Sequence, residues 1–141
     1  MSYATRADLI DAFGEDEVIA LSDRSNLGIT DDALIAKALS DASAEIDGYL
    51  QARYPLPLLN VPRLLAVLCG DVARYRMTGS SANATEDIRN RYKDAIKTLG
   101  FIRDSKLDLG IDPAGEAPAV NAAVRVSAPA RVFGPGTLDQ Y

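Results

Sequence analysis

A long amphipathic stretch, residues 30–58, constrains the fold more than any other part of the chain. Its core-facing positions recur at alternating steps of four and three residues, which places them on one face of an α-helix. The stripe contains Ile35, Leu39, Ala42, Ile46, Tyr49 and Arg53, and it is widened by Leu34, Ala38 and Leu50. The pattern predicts a long helix that begins after a Thr30 N-cap and ends at Tyr54, because Pro55 disfavours helical geometry in the residue before it.

The segment after this helix, Tyr54–Leu58, is rich in proline. Pro55 and Pro57 have no backbone N–H, so the segment is a poor central strand. We therefore predict a stiff, extended corner, in which Arg53, Tyr54 and Pro55 have a structural role.

Two short helices are predicted before the long one. Thr5 and Asp8 form a capping box at the start of the first helix, and Gly14 is a natural stop after Phe13. The second helix runs over Glu15–Ser22 and is followed by a polar loop. The long helix follows this loop.

Two further long helices are predicted after the corner. Pro62 lies in the first turn of one helix, where its missing N–H costs nothing. Thr85 caps the other, which ends near Ser105. The inner face of the first comprises Leu64, Leu65, Leu68, Val72 and Tyr75, and that of the second comprises Ile88, Tyr92, Ala95, Ile96, Leu99 and Ile102. The sequence thus predicts a mainly α fold, a compact bundle of about three long and two short helices with an extended C-terminal arm.

Two charged residues, Asp71 and Arg74, lie among the apolar positions of the helix that follows Pro62. They are three residues apart and can pair along the helix surface. They could instead reach Arg53 or Asp47 on the long helix. In either case we interpret them as a structural ion pair, since charged pairs at helix crossings are commoner than catalytic ones.

The character of the chain changes after Lys106, so we divide it into a helical domain, residues 1–106, and a flexible linker with a C-terminal arm, residues 107–141. Prolines and glycines mark the linker, and residues 120–127 carry a weak strand signal. The arm ends in a partner-binding candidate set, Arg131, Phe133, Leu138 and Tyr141. A disordered tail is one interpretation. An arm that docks on another subunit or a partner is the other, since large apolar side chains gain free energy only when they are buried.

Composition excludes several classes of function. The net charge of −5 repels nucleic acid phosphates, so a DNA-reading domain is disfavoured. The chain has no histidine and a single cysteine, Cys69, which we interpret as a small buried hydrophobe. Zinc centres and Ser/His or Cys/His nucleophile pairs are therefore not expected, and no phosphate-binding glycine loop is present. We expect no cofactor, no enzymatic activity and, without a membrane span or signal peptide, synthesis in the cytosol.

Several segments of the chain resemble a known family. The resemblance is carried by Tyr3–Thr5 with Asp8–Leu9 and Phe13–Glu15, by Glu45–Leu50 with Arg53–Leu58, by Asp71–Tyr75, and by Arg91–Ala95 leading to Lys106–Gly110. In this order and spacing they resemble the small head–tail connector proteins of Mu-like phages and prophages. The residues Arg131, Phe133, Leu138 and Tyr141 resemble the ending of that family.

The resemblance implies a non-enzymatic structural protein of the virion neck, present in the host cytoplasm during assembly. Proteins of this type are similar to helical adaptors that stack as a ring, often twelvefold, beneath the portal of tailed phages. The implied partners are the portal protein and tail-completion proteins, with DNA passing through the ring without specific binding and no membrane contact. Assembly from a monomer only on the portal is equally compatible. The alternative is a prophage-encoded adaptor that binds a host or phage protein; a small enzyme and a DNA-binding helical protein are the remaining classes.

Overall fold

Five α-helices build the fold over residues 2–111, the part of the chain that the computed structural model describes. They are α1 (Arg6–Phe13), α2 (Glu15–Ser22), α3 (Asp32–Leu50), α4 (Arg63–Met77) and α5 (Glu86–Arg103). No strand occurs in this part of the chain. The predicted arrangement of three long and two short helices is confirmed.

The two short helices follow the predicted boundaries. The Thr5 hydroxyl accepts a hydrogen bond from the backbone N–H of Asp8, whose carboxylate accepts one from the N–H of Thr5 in return. Gly14 ends α1 with a φ of 87°, a conformation that favours glycine, and its carbonyl accepts the first bond of α2 from Val18. A single residue therefore joins α1 to α2 and fixes the angle between them.

The long central helix α3 is shorter than predicted at both ends. Its N-cap is Asp31, whose carboxylate accepts hydrogen bonds from two backbone N–H groups. The Thr30 hydroxyl, the predicted cap, instead accepts a bond from Arg6. At the other end the amides of Arg53 and Tyr54 both bond to the carbonyl of Leu50, so the regular ladder stops there. Arg53 therefore lies in a turn beyond the helix, and its inclusion in the helical stripe was wrong.

The corner after α3 is bent rather than extended. It contains a cis peptide bond between Leu56 and Pro57. Tyr54 and Leu58 are buried at either end of the corner, whereas Pro55 is exposed. The prediction of an extended segment was wrong, since the backbone bends at Tyr54, Leu56 and Pro57.

The helices α4 and α5 contribute the remaining long faces of the core. Leu65, Leu68 and Val72 are buried as predicted, but Leu64 is 37% exposed because it lies one step round the helix from Leu65. Tyr75 is only half-buried, against the neighbouring helix. Thr85 caps the first turn of α5 by accepting a hydrogen bond from the N–H of Ile88. On the same helix Ala95, Leu99 and Ile102 are buried. The helix ends at Arg103, two residues before the predicted Ser105.

The core lies between α3, α4 and α5, and α1 and α2 pack against its side. Cys69 is fully buried at the α3–α4 contact, 3.5 Å from the Ser43 hydroxyl, which confirms its interpretation as a small core residue. Tyr3 precedes α1, is buried, and donates its phenolic hydrogen to Asp47 of α3. The N-terminal segment is thereby fastened to the central helix.

Residues 107–111 pack against the helices, although the sequence analysis placed them at the beginning of the linker. Leu109 and Ile111 are buried, and Leu107 is half-buried against the same cluster. The packed part of the chain therefore extends at least to Ile111. The predicted strand at 120–127 and the rest of the linker and arm lie outside the described residues.

Candidate interaction surfaces

The Arg74 guanidinium joins four helices. It donates to the Glu17 carboxylate of α2 at 2.6 Å and to the Asp87 carboxylate of α5 at 2.8 Å. It also lies over the Phe13 ring of α1, 4.6 Å from the ring centroid. Only 9% of the Arg74 side chain is exposed, and a charge so buried needs such partners. Arg74 thus has a structural role.

Asp71 pairs with Arg91 of α5 at 3.1 Å and not with Arg74. The predicted pair along the α4 surface was wrong, because opposite charges on α2 and α5 lie closer to each side chain. Burial raises the pKa of Asp71 above its ordinary value, against the opposing effect of the Arg91 charge. The three ion pairs, Arg74 with Glu17, Arg74 with Asp87 and Asp71 with Arg91, together hold α4 to α2 and α5.

A second cluster lies at the other side of the α4–α5 contact. The rings of Tyr75 and Tyr92 are stacked at 4.1 Å, and the Tyr92 hydroxyl donates to Glu45 of α3 at 3.0 Å. Arg76 donates to the same carboxylate. Burial, with the Glu45 bond, raises the pKa of Tyr92 to about 12. The phenol is therefore neutral at physiological pH and acts as a hydrogen-bond donor to α3.

The turn after α3 fastens the segment that leaves α5. Arg53 donates to the Leu107 carbonyl at 3.0 Å and to the Asp108 carboxylate at 2.8 Å. The Tyr54 hydroxyl accepts a bond from the N–H of Leu109. The N–H of Gly110 and the Arg53 charge hold the pKa of Asp108 below its usual value. Arg53 and Tyr54 thus join the turn after α3 to the segment after α5, whereas Pro55 is exposed.

A groove with a volume of about 300 Å³ lies between α1 and α4. Its lining is apolar at Phe13, Val67 and Gly70 and charged at five positions: Asp8, Asp11, Arg63, Asp71 and Arg91. Val67 is 54% exposed. The volume is at the lower end of the range for small-molecule pockets.

The α2–α3 loop exposes two large aliphatic side chains on either side of Gly28. Leu27 is 71% exposed and Ile29 is 63% exposed. The Asp23 carboxylate accepts hydrogen bonds from the N–H groups of Ser25 and Gly28, and backbone donors hold the pKa of Asp23 below its usual value. The loop is therefore fixed in shape although its tip is apolar.

Metal-site and membrane-span patterns are absent within residues 2–111. No three Asp, Glu or Cys side chains there converge as they would around a metal ion. None of the helices α1 to α5 is long and apolar enough to cross a bilayer. The predicted partner-binding residues Arg131, Phe133, Leu138 and Tyr141 lie outside the described residues and stay predictions.

Comparison with known proteins identifies the family. Residues 3–128 match the family model described as Bacteriophage Mu, Gp36. The chain belongs to this Gp36 family. It is similar to gene product J of Escherichia phage Mu, with 41% identity over 113 residues and 79% of each chain covered. It is also similar to the Mu-like prophage FluMu protein gp36 of Haemophilus influenzae, with 31% identity over 142 positions, 99% of this chain and 97% of the relative.

Membership of the Gp36 family confirms the resemblance to Mu-like phage proteins and makes this chain a phage or prophage protein.

Sequence patterns did not find the ion-pair partners Glu17, Asp87 and Arg91, because each lies on a different helix from the residue that it binds. The exposed tip at Leu27 and Ile29 had a usable signal, two aliphatic residues inside an otherwise polar loop.

Proposed function

We propose that this Gp36-family chain is a non-enzymatic head–tail connector that assembles as a ring beneath the portal and extends the DNA channel. The observation that supports the proposal best is that charged side chains between the helices form hydrogen bonds and ion pairs within the protein. Among the described residues no buried polar side-chain atom lacks a hydrogen-bond partner, and Arg74, Asp71 and Arg53 all bond across helices. Asp71, which lines the groove between α1 and α4 and has a raised pKa, is itself paired with Arg91.

Exposed aliphatic side chains also support an assembly role. Leu27, Ile29, Leu59 and Val67 are each more than half exposed. Such side chains favour burial against another protein, and the helical body beneath them is held rigidly by its ion pairs. A rigid body with apolar contact points is what a ring subunit requires.

The acidity of the chain fits a channel through which DNA passes. With a net charge of −5, carboxylates that line a ring would repel phosphates, and contact would release no counterions. The DNA would therefore slide without being held. Binding of duplex DNA by the purified chain that is tight and weakens with salt would contradict this part of the proposal, as would a strongly basic lumen.

Electron microscopy of the chain mixed with its cognate portal protein tests the proposal. We expect extra ring-shaped density on the tail-facing side of the portal, with portal alone as the control. Portals that stay bare at high concentrations of the chain would overturn the connector role. Absence of this chain from the neck of the assembled virion would also overturn the connector role.

A further inference from the structure

The segment that contains α5 is basic although the chain as a whole is acidic. Residues 86–106 contain six basic and four acidic residues, whereas residues 1–32 contain two basic and eight acidic ones. The two segments form different parts of the bundle, because α5 packs on α3 and α4 while α1 and α2 pack on each other and on α4. The fold therefore presents charge of opposite sign on two separate surfaces.

Three basic side chains form a stripe along α5. Arg89, Lys93 and Lys97 recur every four residues, so they lie one above the other, on the face opposite the buried Ala95 and Leu99. Within residues 2–111 none of the three makes a salt bridge. Over residues 86–106 four basic and two acidic side chains are without a salt bridge: Arg89, Lys93, Lys97 and Lys106 against Glu86 and Asp94. The exposed charge of this face is thus net positive.

Phe101 adds an exposed aromatic ring to the same face. It follows Lys97 by four residues and is 39% exposed. The ammonium groups of Lys97 and Lys106 lie 5.8 Å and 5.7 Å from the ring centroid, within the range of a cation–π contact. Aromatic side chains are enriched at protein interfaces, so Phe101 can anchor a contact that the basic stripe orients.

The complementary surface lies where α1 joins α2. Asp11, Glu15 and Asp16 are exposed and make no salt bridge within residues 2–111. Asp8, which belongs to the capping box of α1, is also exposed and makes none there. Arg6 is the single basic residue of these two helices, and it is already paired with the first residue of α3. This α1–α2 junction is therefore net negative.

We propose that the outward face of α5 in one copy docks on the α1–α2 junction of the next copy. This inference rests on the proposed ring. The stripe from Arg89 to Lys97 spans about 12 Å at 1.5 Å per residue, which matches the length of the eight-residue α1. Opposite charge steers the two surfaces together and fixes their register. Because the surfaces are different, the contact runs head to tail and closes into a ring when the rotation between neighbours permits.

Charge reversal on α5 tests this interface. The stripe variant combines Lys93→Glu with Lys97→Glu, two exposed positions at which glutamate is about as good a helix former as lysine. We expect it to raise the concentration for half-maximal self-association at least about tenfold in light scattering, because like charges then face each other. The control, Arg24→Glu with Lys37→Glu, makes the same change in net charge at exposed positions outside both surfaces and should leave that concentration unchanged. Equal effects of the two variants would overturn the inference.

A second charge reversal makes the test reciprocal. The junction variant combines Asp11→Lys, Glu15→Lys and Asp16→Lys, and it should self-associate as weakly as the stripe variant. Each surface of one variant is complementary to the opposite surface of the other, so an equimolar mixture should recover assemblies in which the two chains alternate. A mixture of folded variants that associates no better than either alone would overturn the inference. If the junction variant loses helix by circular dichroism, Asp11→Lys replaces it, since a cation in the last turn of α1 favours the helix.

Cross-linking applies the same test on the portal if the wild-type chain is monomeric in solution. A carbodiimide joins amines directly to carboxylates, and it should link Lys93 or Lys97 of one copy to Asp11 or Glu15 of another in complexes with the cognate portal. Chains carrying two different isotopic labels identify the links between copies. Portal-bound chains without these links would overturn the proposed contact and leave the connector role standing. Failure of the wild-type chain to bind the portal or itself would overturn both.

Duplex DNA is the other partner that a basic stripe can attract, through its phosphates. We expect the wild-type chain and the stripe variant to behave alike in a DNA-binding assay, with neither retained. Binding of DNA that the stripe variant abolishes, together with unchanged self-association of that variant, would overturn the contact between copies.

Discussion

Arg53 and Asp108 are 55 positions apart in the sequence, and their side chains are joined at 2.8 Å. This pair, with the Arg53 bond to the Leu107 carbonyl, fastens the segment after α5 to the turn after α3. Leu109 and Ile111 complete the attachment by burial in the core. The chain is therefore held in place through the end of the described residues, eight residues beyond the end of α5 at Arg103.

Replacing Arg53 should loosen this attachment without unfolding the bundle. In Arg53→Ala the amides of Leu109 and Gly110 should exchange with solvent several-fold faster, because the bonds to Leu107 and Asp108 are lost. Amides within α3 should keep their protection. Hydrogen exchange measured by mass spectrometry checks this. The control is Lys37→Ala, which breaks an exposed ion pair elsewhere; equal exchange at Gly110 in both variants would contradict the prediction.

The same attachment should weaken in acid. The pKa of Asp108 is lower in the folded chain than in the unfolded one, since the Gly110 N–H and Arg53 favour the carboxylate. A lowered folded pKa means that the stabilisation is complete above the ordinary value of ~3.9 and is lost as the pH falls through the folded value. The Gly110 amide resonance should titrate below pH ~3.9.

Asp108→Asn provides the control for that titration. The variant keeps the size of the side chain and removes the ionisable group, so the Gly110 resonance should no longer respond to acid in this range. A midpoint at or above the ordinary carboxyl value in the wild-type chain would contradict the lowered pKa.

Arg74 should contribute strongly to the stability of the bundle. Arg74→Ala should reduce the free energy of unfolding by about 2–3 kcal/mol, because it removes charged hydrogen bonds to two helices and the contact with Phe13. The free energy of unfolding of Arg74→Lys should lie between those of the wild-type chain and Arg74→Ala. An ammonium group keeps the charge but cannot bond to two carboxylates in the geometry of a guanidinium. Urea unfolding followed by circular dichroism measures both; a loss under about 0.5 kcal/mol, as for ordinary surface changes, would contradict the role.

The C-terminal residues should matter for assembly and not for folding. Deleting residues 128–141 should leave the helical signal unchanged, since helices α1 to α5 all precede these residues, but it should impair binding to the portal. Phe133→Ala should weaken that binding by up to a few kcal/mol if Phe133 is an anchor. Loss of helix on deletion, or unchanged assembly of Phe133→Ala, would contradict the respective half of the prediction.

Local signals in the sequence predicted helices better than they predicted partners. The capping box at Thr5 and the glycine stop at Gly14 depend on neighbours within three residues, and both were found. The N-cap of α3 was placed one residue early because Thr30 and Asp31 both satisfy the local rule, and only the contact of Thr30 with Arg6 separates them. A tertiary contact thus decided what local preference left open.

The partners of charged residues depended on the packing of whole helices. Asp71 and Arg74 satisfied the rule for a pair along one helix, yet Arg91 and Glu17 reach them from α5 and α2. Spacing along a chain cannot show which helix faces which, so this part of the candidate surfaces required the structure. The groove between α1 and α4 was missed for the same reason.

The burial of Ile111 sets a limit on how far the remaining residues can act. Tyr141 follows it by 30 positions, and a fully stretched chain covers at most ~3.6 Å per residue, or roughly 100 Å in total. Any surface that Tyr141 contacts must therefore lie within this distance of Ile111. If the chain assembles as the proposed ring, cross-links from Tyr141 should map to residues within this distance of Ile111, on the same subunit or on a neighbour.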